Sequence, residues 1–333
     1  MKKLIAIVMV LAMILSLTGF TAGGEEYKLG MGISLSMDSS KDELAQVDAT
    51  VAAVVLDSEG KIVACRLDVA QNKMEVVEGE VDTEKTFETK AELKERYNMV
   101  VAGSIGEWYE EAQGFEAYVV GKTADEVEAM ETVLNDSGHN VSVDEELLAS
   151  CTMDIVAFKE AVVKACRDEQ GQTFTADGEI TLGLAAITTA DESTSAADDD
   201  DGIGTVKMYS AFGAAVVDAD GVILAALNDA TQPQIKVNED GEIEETSFRG
   251  TKRELMDDYN MVAYSDATSE WYEQSKAFSD WAAGQTAEEL RGTETTTNAE
   301  GYQVAVDETL FASVTIAITD MVEVVARAVD YAR

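Results

Sequence analysis

The sequence predicts an α+β protein built from two tandem copies of a small domain, each with an antiparallel β-sheet of hairpins packed against helices and each ending in a C-terminal helix. Three observations predict this fold. An internal repeat runs along nearly the whole mature chain. Each copy begins with β-branched and apolar runs around short turns, and continues with helix-forming residues at helical spacing. Each copy also closes with the motif A-S-x-T, followed by an apolar-periodic segment.

The repeat defines the domain organisation. LGMG at residues 29–32 matches LGLA at residues 182–185, and TKAELKERYNMV matches TKRELMDDYNMV further along. We therefore assign residues 25–170 to copy one and residues 171–333 to copy two. The boundary between them lies in the polar, turn-rich stretch RDEQGQTFTADGE.

A second polar stretch lies inside copy two, at residues 188–204. Its sequence, TTADESTSAADDDDGIG, falls between the first two strands of the copy, so we interpret it as a long acidic hairpin loop. The four adjacent carboxylates of residues 198–201 could bind Ca²⁺, but they lack the alternating ligand spacing of an EF-hand loop. We favour a solvated loop.

The first elements of each copy are predicted hairpins. In copy one, the apolar runs at residues 51–56 and 61–68 flank a turn that contains S-E-G. In copy two, residues 214–218 and 222–228 flank a turn that contains A-D-G. Short apolar runs around a glycine-containing turn are typical of β-hairpins.

Helices are predicted after the hairpins. Residues 89–97 and 107–119 carry helix formers with apolar residues at helical spacing, as do their partners in copy two. A short strand near residues 141–143, or 304–306 in copy two, then leads into the final helix. Apolar side chains on that helix recur with one spacing in both copies and predict one buried face: Ile155, Phe158, Val162 and Cys166, matched by Ile318, Met321, Val325 and Val329.

The N-terminus has the pattern of a secretory signal peptide at residues 1–24. Lys2 and Lys3 precede an apolar run at residues 4–17, which is shorter than the roughly 20 residues of a membrane span, and A-G-G follows as a cleavage site. Phe20 stands where a lipoprotein would carry cysteine. We expect a secreted protein that does not span the membrane once the signal is removed, and that is either released or held to the envelope by partners.

Charge and cysteine content limit the partners and the chemistry. A formal net charge of −41 repels a phosphate backbone, so we expect no nucleic-acid partner. Cys65, Cys151 and Cys166 form an odd set, which allows one disulfide with a spare thiol or three buried thiols. Copy two has small hydrophobic residues at the matching positions, which favours buried thiols.

No catalytic or metal-binding constellation stands out in the sequence. The chain has one histidine, His139, and copy two carries Tyr302 in its place, so a turn histidine is expected rather than a catalytic triad or a zinc site. Paired carboxylates such as Glu110 and Glu111 could serve a glycoside hydrolase, but among 65 acidic residues a pair carries little weight. We predict no catalytic residue and no metal ligand.

The threonines of the repeated A-S-x-T motif, Thr152 and Thr315, are the strongest site candidates. A hydroxyl beside a helix N-terminus can cap the helix by accepting a backbone N–H bond worth about 1 kcal/mol. The same position can also bind a phosphate, because free N–H groups and the positive end of the helix dipole point toward it. Trp108 and Trp271, from the two E-W-Y-E segments, could stack on a planar ring or anchor a helix in the core.

Three further segments accompany A-S-x-T in a constant order. They are the hairpin turns S-E-G-K-I and A-D-G-V-I, the segments YVVGK at residues 118–122 and WAAGQ at residues 281–285, and the final helix, which in copy one contains FKEAV at residues 158–162. With these segments each copy resembles a flavin mononucleotide (FMN)-binding domain of the electron-transfer complexes and of exported flavoproteins from Gram-positive bacteria. The turn is similar to the D-G-K-I turn of that family, YVVGK to its F-x-G-K, and A-S-x-T to its S-G-A-T.

The resemblance implies a cofactor, a site and partners. In the family, the threonine carries FMN through a phosphoester bond installed by a separate flavin transferase, and Thr152 and Thr315 take that position. Ser150 and Ser313 replace the glycine of S-G-A-T beside the phosphate. The implied partners are the transferase and an extracellular redox partner, and Trp108 and Trp271 are the candidates for an aromatic side chain that stacks on the flavin ring.

Two hypotheses from different classes follow. In the first, the chain is an exported two-domain flavin protein that carries electrons outside the membrane, with FMN at both threonines. In the second, the fold has lost its cofactor, and the tandem copies form an extracellular binding module or an envelope-associated module. The serine substitutions and the acidic segment favour the second hypothesis. A hydrolase of cell-wall or glycan material is the weakest alternative.

Overall fold

The structure, a computed structural model, describes residues 20–265 and 267–333. As predicted, the fold is α+β, with a large antiparallel sheet packed against helices and a helix at the C-terminal end. Copy one contributes, in order, β1 (Phe20–Ser36), β2 (Leu44–Leu56), β3 (Ile62–Glu75), α1 (Lys90–Leu93), α2 (Trp108–Val119), α3 (Ala124–Glu128), β4 (Thr132–Leu134), β5 (Asn140–Ser142), α4 (Glu145–Leu148) and α5 (Val156–Cys166).

Copy two follows the same plan with additional strands. Its elements, in order, are β6 (Gln172–Thr189), β7 (Ile203–Lys207), β8 (Tyr209–Asp218), β9 (Ile223–Thr231), β10 (Gln234–Asn238), β11 (Ile243–Ser247), α6 (Lys252–Leu255), α7 (Met261–Tyr264), α8 (Trp271–Ala282), α9 (Ala287–Arg291), β12 (Thr295–Thr297), β13 (Gln303–Ala305), α10 (Glu308–Phe311) and α11 (Thr319–Asp330). In the part of the chain that the structure describes, no helix is both long and apolar enough to cross a membrane.

The predicted hairpins are confirmed. β2 pairs with β3, and β8 pairs with β9, both in antiparallel register. The turn glycines Gly60 and Gly221 have φ angles of +76° and +77°, a region that favours glycine. Each turn is closed by an aspartate, because Asp57 and Asp218 each accept two backbone N–H bonds of 2.9 Å from within the turn.

The two copies share one six-stranded sheet in the order β3-β2-β1-β6-β8-β9. The first halves of β1 and β6 pair with each other, and the rings of Tyr27 and Phe174 stack across this pair with centroids 5.9 Å apart. Residues 172–178, which we assigned to a polar boundary, are therefore strand residues rather than a linker. Residues 20–23 of the predicted signal segment pair with β6, whereas residues 1–19 lie outside the described residues.

The sheet is strongly curved and encloses the main apolar core. β3 contacts β6, and β9 contacts β1, although two strands separate the members of each pair in the sheet order. The core side chains come from both copies and include Leu29, Ile33, Val51, Leu182, Phe212 and Val216. Because each half of the sheet covers the inner face of the other, we expect the copies to fold together.

The final helix of each copy packs on the outer face of the sheet through glycine. A Cβ on Gly32 would lie 2.4 Å from the carbonyl oxygen of Ala161 in α5, and a Cβ on Gly183 would lie 1.7 Å from that of Ala328 in α11. Close backbone approach therefore explains the LGMG and LGLA landmarks. The predicted buried helix face is confirmed, with Val329 partly buried and the other seven residues buried.

The acidic segment at residues 188–204 leads from β6 into the extra strand β7. β7 pairs with β10, and β10 with β11, in a separate three-stranded sheet. The apolar face of this sheet packs against the ends of β2 and β3, where Met74 and Ile235 are fully buried. Residues 198–201 are exposed, and among the described residues no acidic, cysteine or histidine side chains group as metal ligands would.

The three cysteines are free and buried, as predicted. Burial raises the pKa of each thiol, to about 12 for Cys151 and Cys166, so these thiols are structural rather than reactive. His139 is exposed in the turn between β4 and β5, where its backbone N–H donates to the Asn135 side chain at 2.9 Å. The turn histidine is therefore also confirmed.

Ion pairs join the copies at matched positions. Lys164 in α5 lies 2.9 Å from Glu254, and Arg327 in α11 lies 3.8 Å from Glu92, so each final helix contacts the opposite copy. A third pair, Asp168 with Arg253, has an N···O distance of 3.1 Å. Both side chains of this third pair are at least nine-tenths buried, so it is the best shielded from solvent.

Candidate functional site

Thr152 and Thr315 do not cap the helices that follow them. The N-cap residue is Ile155 for α5 and Ile318 for α11, and neither receives a side-chain cap. Each threonine lies three residues before its N-cap, in the loop that follows α4 or α10. The capping interpretation is therefore wrong, because the loop places the hydroxyl away from the first helical turn.

The Thr152 loop instead binds a carboxylate of the protein itself. The backbone N–H and the Oγ1 of Thr152 both donate to Oε2 of Glu111, at 2.7 and 2.9 Å. Glu111 lies on α2 and is 1% exposed. Its other oxygen accepts the N–H of Gly106 at 3.3 Å. Charge-assisted hydrogen bonds thus hold a buried carboxylate against the loop.

Copy two repeats this contact with a neutral side chain. Gln274 takes the place of Glu111, and its side-chain oxygen accepts the N–H and Oγ1 of Thr315 at 2.8 and 3.3 Å. The same oxygen accepts the N–H of Ile316 at 3.3 Å. The amide nitrogen of Gln274 donates to the carbonyl of Ser269 at 2.8 Å, so the buried amide is satisfied at both ends.

The threonine loops, as arranged, do not fit the phosphate of FMN. A phosphoester would remove the hydroxyl hydrogen that Glu111 accepts and would bring a second negative charge against a buried carboxylate. In copy two the contacting side chain is neutral, but Gln274 already accepts the hydroxyl of Thr315 and the N–H groups of Thr315 and Ile316. In both loops the donors of the threonine itself therefore already have an acceptor within the protein.

The serines and tryptophans that the resemblance points to are part of the framework. The hydroxyls of Ser150 and Ser313 each donate to the carbonyl oxygen three residues earlier, at 3.1 and 3.3 Å. Trp108 and Trp271 are 2% and 4% exposed. Trp108 packs edge-on against Phe158, with ring centroids 6.0 Å apart. The core role that we considered for both tryptophans therefore matches their positions.

Sequence reasoning missed a buried lysine at the start of α6. Lys252 is 8% exposed, and its ammonium lies over the rings of Tyr209, Tyr259 and Trp271, at 5.0, 5.2 and 5.3 Å from their centroids. These are cation–π distances. Among the described residues, no acceptor hydrogen-bonds the ammonium and no carboxylate forms an ion pair with it. Burial lowers the pKa of Lys252 to about 8.

The repeated T-K-x-E motif positions this lysine. Thr251 and Glu254 form a capping box at the start of α6, with bonds of 3.1 and 3.0 Å. Asp229 on β9 accepts the N–H of Arg253 at 3.0 Å and so attaches the short helix to the sheet. Burial raises the pKa of the Asp229 carboxyl to about 6, with Arg253 opposing the shift.

Copy one carries the same motif with an incomplete aromatic cage. Its Lys90 lies over Tyr97 at 4.9 Å and over Trp108 at 5.9 Å, and it is partly exposed. The repeat places Asp48 where copy two has Tyr209. The third ring is therefore a property of copy two. The recurrence of T-K-x-E in the sequence was the one available signal, but the residues around the lysine come from distant segments.

A cleft of about 360 Å³ opens beside Lys252. Lys207 also lines it and pairs with Glu192 at 3.9 Å. The other principal lining side chains are aromatic, amide-bearing or basic: Tyr209, Gln232, Gln234, Phe248, Arg249 and Tyr259. A concave surface with a buried cation at its base and a few polar groups at its rim has the general form of a small-molecule site.

Comparison with known proteins adds little to this geometry. No protein-family model and no curated protein matches the chain. Among solved structures, the chain is similar to a Bacteroides fragilis protein described as exported, with a YmcC-like fold, at 7% identity and a TM-score of 0.12. The match covers 68% of this chain and 95% of that one. A similarity of this size carries no argument about fold or function.

Proposed function

We propose that this chain is an exported binding module in which both A-S-x-T loops are structural and hold no flavin. Glu111 carries the proposal, because its buried carboxylate accepts both hydrogen bonds that Thr152 can donate. A flavin phosphate would need the same two donors and would be repelled by the carboxylate. The N-terminal signal pattern supports export.

The surroundings of the loops favour binding over electron transfer. A flavin carrier needs an aromatic face or a polar cradle for the isoalloxazine ring, in addition to a phosphate site. Trp108 and Trp271 are buried in the core and offer no ring face to a ligand. The flavin carrier expected from the resemblance therefore remains the competing hypothesis, and Thr315, which faces a neutral Gln274, is its stronger site.

Titration with FMN tests the proposal. Residues 25–333 are produced without a flavin transferase and titrated with FMN and with riboflavin, which lacks the phosphate, while flavin fluorescence is followed. We expect no saturable FMN binding at either threonine. Saturable binding of FMN but not riboflavin, lost in Thr152→Val or Thr315→Val, would contradict the proposal.

One variant locates any FMN that does bind. Lys252→Met removes the cation at the base of the copy-two cleft, 63 residues from Thr315 in the sequence. FMN binding that is lost in Lys252→Met and kept in Thr315→Val would place the ligand in the cleft. The loops would then still be structural, and the proposal would stand.

Export has its own test. We expect N-terminal sequencing of the protein from the culture medium to give a mature chain that begins close to residue 25. Retention in the cell with an intact Met1 would contradict the exported part of the proposal.

A further inference from the structure

We propose that the copy-two cleft binds a small organic monoanion, a carboxylate carried on a six-membered ring, with Lys252 as its counter-ion. The inference rests on the proposed binding function, to which it adds a site and a ligand class. Neither the A-S-x-T motif nor the resemblance points to this cleft. Its evidence is the bonding state of Lys252, the charges around it and the shape of the walls.

The ammonium of Lys252 lacks the partner that a buried cation normally has. The residue is 8% exposed and lines the cleft, and within the described ranges its contacts are the three aromatic rings. Cation–π contacts stabilise the charge but accept no N–H bond in the usual geometry. The Lys252 nitrogen is not among the buried, unpartnered side-chain atoms of the described residues, so it is open to the cleft. A ligand oxygen at the base of the cleft would replace water as the acceptor of its N–H groups.

The charges around Lys252 favour a single negative charge on the ligand. Lys207 and Arg249 also line the cleft, although the chain has only 24 basic residues against 65 acidic ones. The carboxylates that act on Lys252 are Asp229, Asp320 and Glu192. Three cations line the cleft with one carboxylate, Glu192, while Asp229 and Asp320 act on Lys252 from outside the lining. A monoanion is attracted to the cationic base, whereas the second charge of a phosphate dianion would meet the surrounding carboxylates.

The side chains that line the cleft favour a ligand that contains a ring. Tyr209, Tyr259 and Phe248 provide flat apolar surfaces, and the side-chain amides of Gln232 and Gln234 provide donors and acceptors. A volume of about 360 Å³ is at the small end of the range for ligand sites, so it suits one or two rings rather than a polymer segment. A sugar acid and an aromatic acid share this chemistry.

Copy one supplies a matched control within the same chain. Lys90 occupies the corresponding position in its T-K-x-E motif, but Asp48 replaces the third ring and adds a negative charge. A carboxylate ligand would be repelled there. Lys90→Met therefore removes an equivalent lysine without removing the proposed site.

Calorimetric titration of the mature protein tests the inference. The probes are glucuronate and 4-hydroxybenzoate, their neutral amides glucuronamide and 4-hydroxybenzamide, and inorganic phosphate. We expect one of the two carboxylates to bind at a single site, its amide and phosphate to bind at least about tenfold more weakly, and Lys252→Met to weaken carboxylate binding by a similar factor. Lys90→Met should bind as the wild type does.

The carboxylate that binds identifies the source, a sugar acid or an aromatic acid. Failure of both carboxylates, equal affinity for the amide or for phosphate, or unchanged binding in Lys252→Met would overturn the inference. A folding defect in Lys252→Met would also abolish binding, so Arg249→Gln serves as a second variant. The exposed Arg249 side chain lines the same cleft, and its loss should also weaken binding. These readouts involve no flavin, so their failure is distinct from failure of the proposed function.

Discussion

The Oγ1 of Thr152 lies 2.9 Å from a carboxylate oxygen of Glu111, which is 41 residues away in the sequence. In copy two the same contact joins Thr315 and Gln274, again 41 residues apart. The contact ties the loop before the final helix to the middle helix of each copy. A duplicated structural bond is therefore sufficient to explain why A-S-x-T occurs twice.

Loss of the Thr152 hydroxyl should destabilise the fold more than loss of its copy-two equivalent. Thr152→Val leaves the buried Glu111 carboxylate with one donor fewer, at an expected cost of about 2 kcal/mol in the free energy of unfolding. Thr315→Val removes a longer bond to a neutral amide and should cost about 1 kcal/mol. Urea denaturation of both variants measures the difference. A larger cost for Thr315→Val would contradict the assigned role of Glu111.

A methyl group on Gly183 should push α11 away from the sheet. The added Cβ would lie 1.7 Å from the carbonyl oxygen of Ala328, so backbone must move, and we expect Gly183→Ala to cost about 3 kcal/mol. Gly292→Ala is the control, because its φ is −76° and a Cβ there would lie 3.3 Å from its nearest neighbour, so little has to move. Thermal and urea denaturation of both variants test this, and equal stability would show that the helix does not depend on the close contact.

The buried pair of Asp168 and Arg253 should be needed for the joint between the copies. Arg253→Met leaves the Asp168 carboxylate without its cation, although the N–H of Met31 still donates to it at 3.1 Å. We expect a loss of about 3 kcal/mol, partly recovered in the double variant Asp168→Asn/Arg253→Met. Denaturation of the two single variants and the double variant completes the double-mutant cycle. Additive losses would mean that the two charges act independently.

The buried carboxyl of Asp229 should make stability rise on mild acidification. Its pKa is raised from 3.8 to about 6, so the folded protein keeps this proton to higher pH than the unfolded chain does. The folded state therefore gains stability as the pH falls through 6, and this gain is complete below about 4. Between pH 7 and pH 5 the group should contribute about 1 kcal/mol.

Asp229→Asn should remove that contribution and keep the acceptor for the helix N–H. The variant should gain about 1 kcal/mol less than the wild type between pH 7 and pH 5. The exposed Asp198→Asn variant controls for the loss of one negative charge and should follow the wild type. Identical pH profiles for all three proteins would contradict the raised pKa of the buried Asp229 carboxyl.

Local patterns in the sequence predict much of the fold. The hairpins and the buried face of the final helices follow from short-range periodicity, and the repeat doubles the evidence for each of them. The buried cysteines follow from the hydrophobic residues that replace them in copy two. The join between β1 and β6 was less visible, because Phe174 alternates with polar residues in a segment that resembles a linker.

The residues of the candidate site could not be predicted from the sequence, for a different physical reason. Glu111 has the sequence context of a solvated helix residue, one of 65 acidic residues, and only its burial against Thr152 separates it from the rest. The cage around Lys252 combines rings from β8, from the turn after α6 and from α8, which no short-range pattern connects. Contacts between distant segments depend on the assembled fold.

The intact mass and visible spectrum of the mature protein, secreted by its own host so that any flavin transferase is available, test the central claim most directly. We predict the mass of the unmodified chain and no flavin absorbance, because Glu111 and Gln274 already bind the threonine hydroxyls. A mass excess of one or two FMN units, lost in Thr152→Val and Thr315→Val, would contradict the claim and establish a flavin carrier.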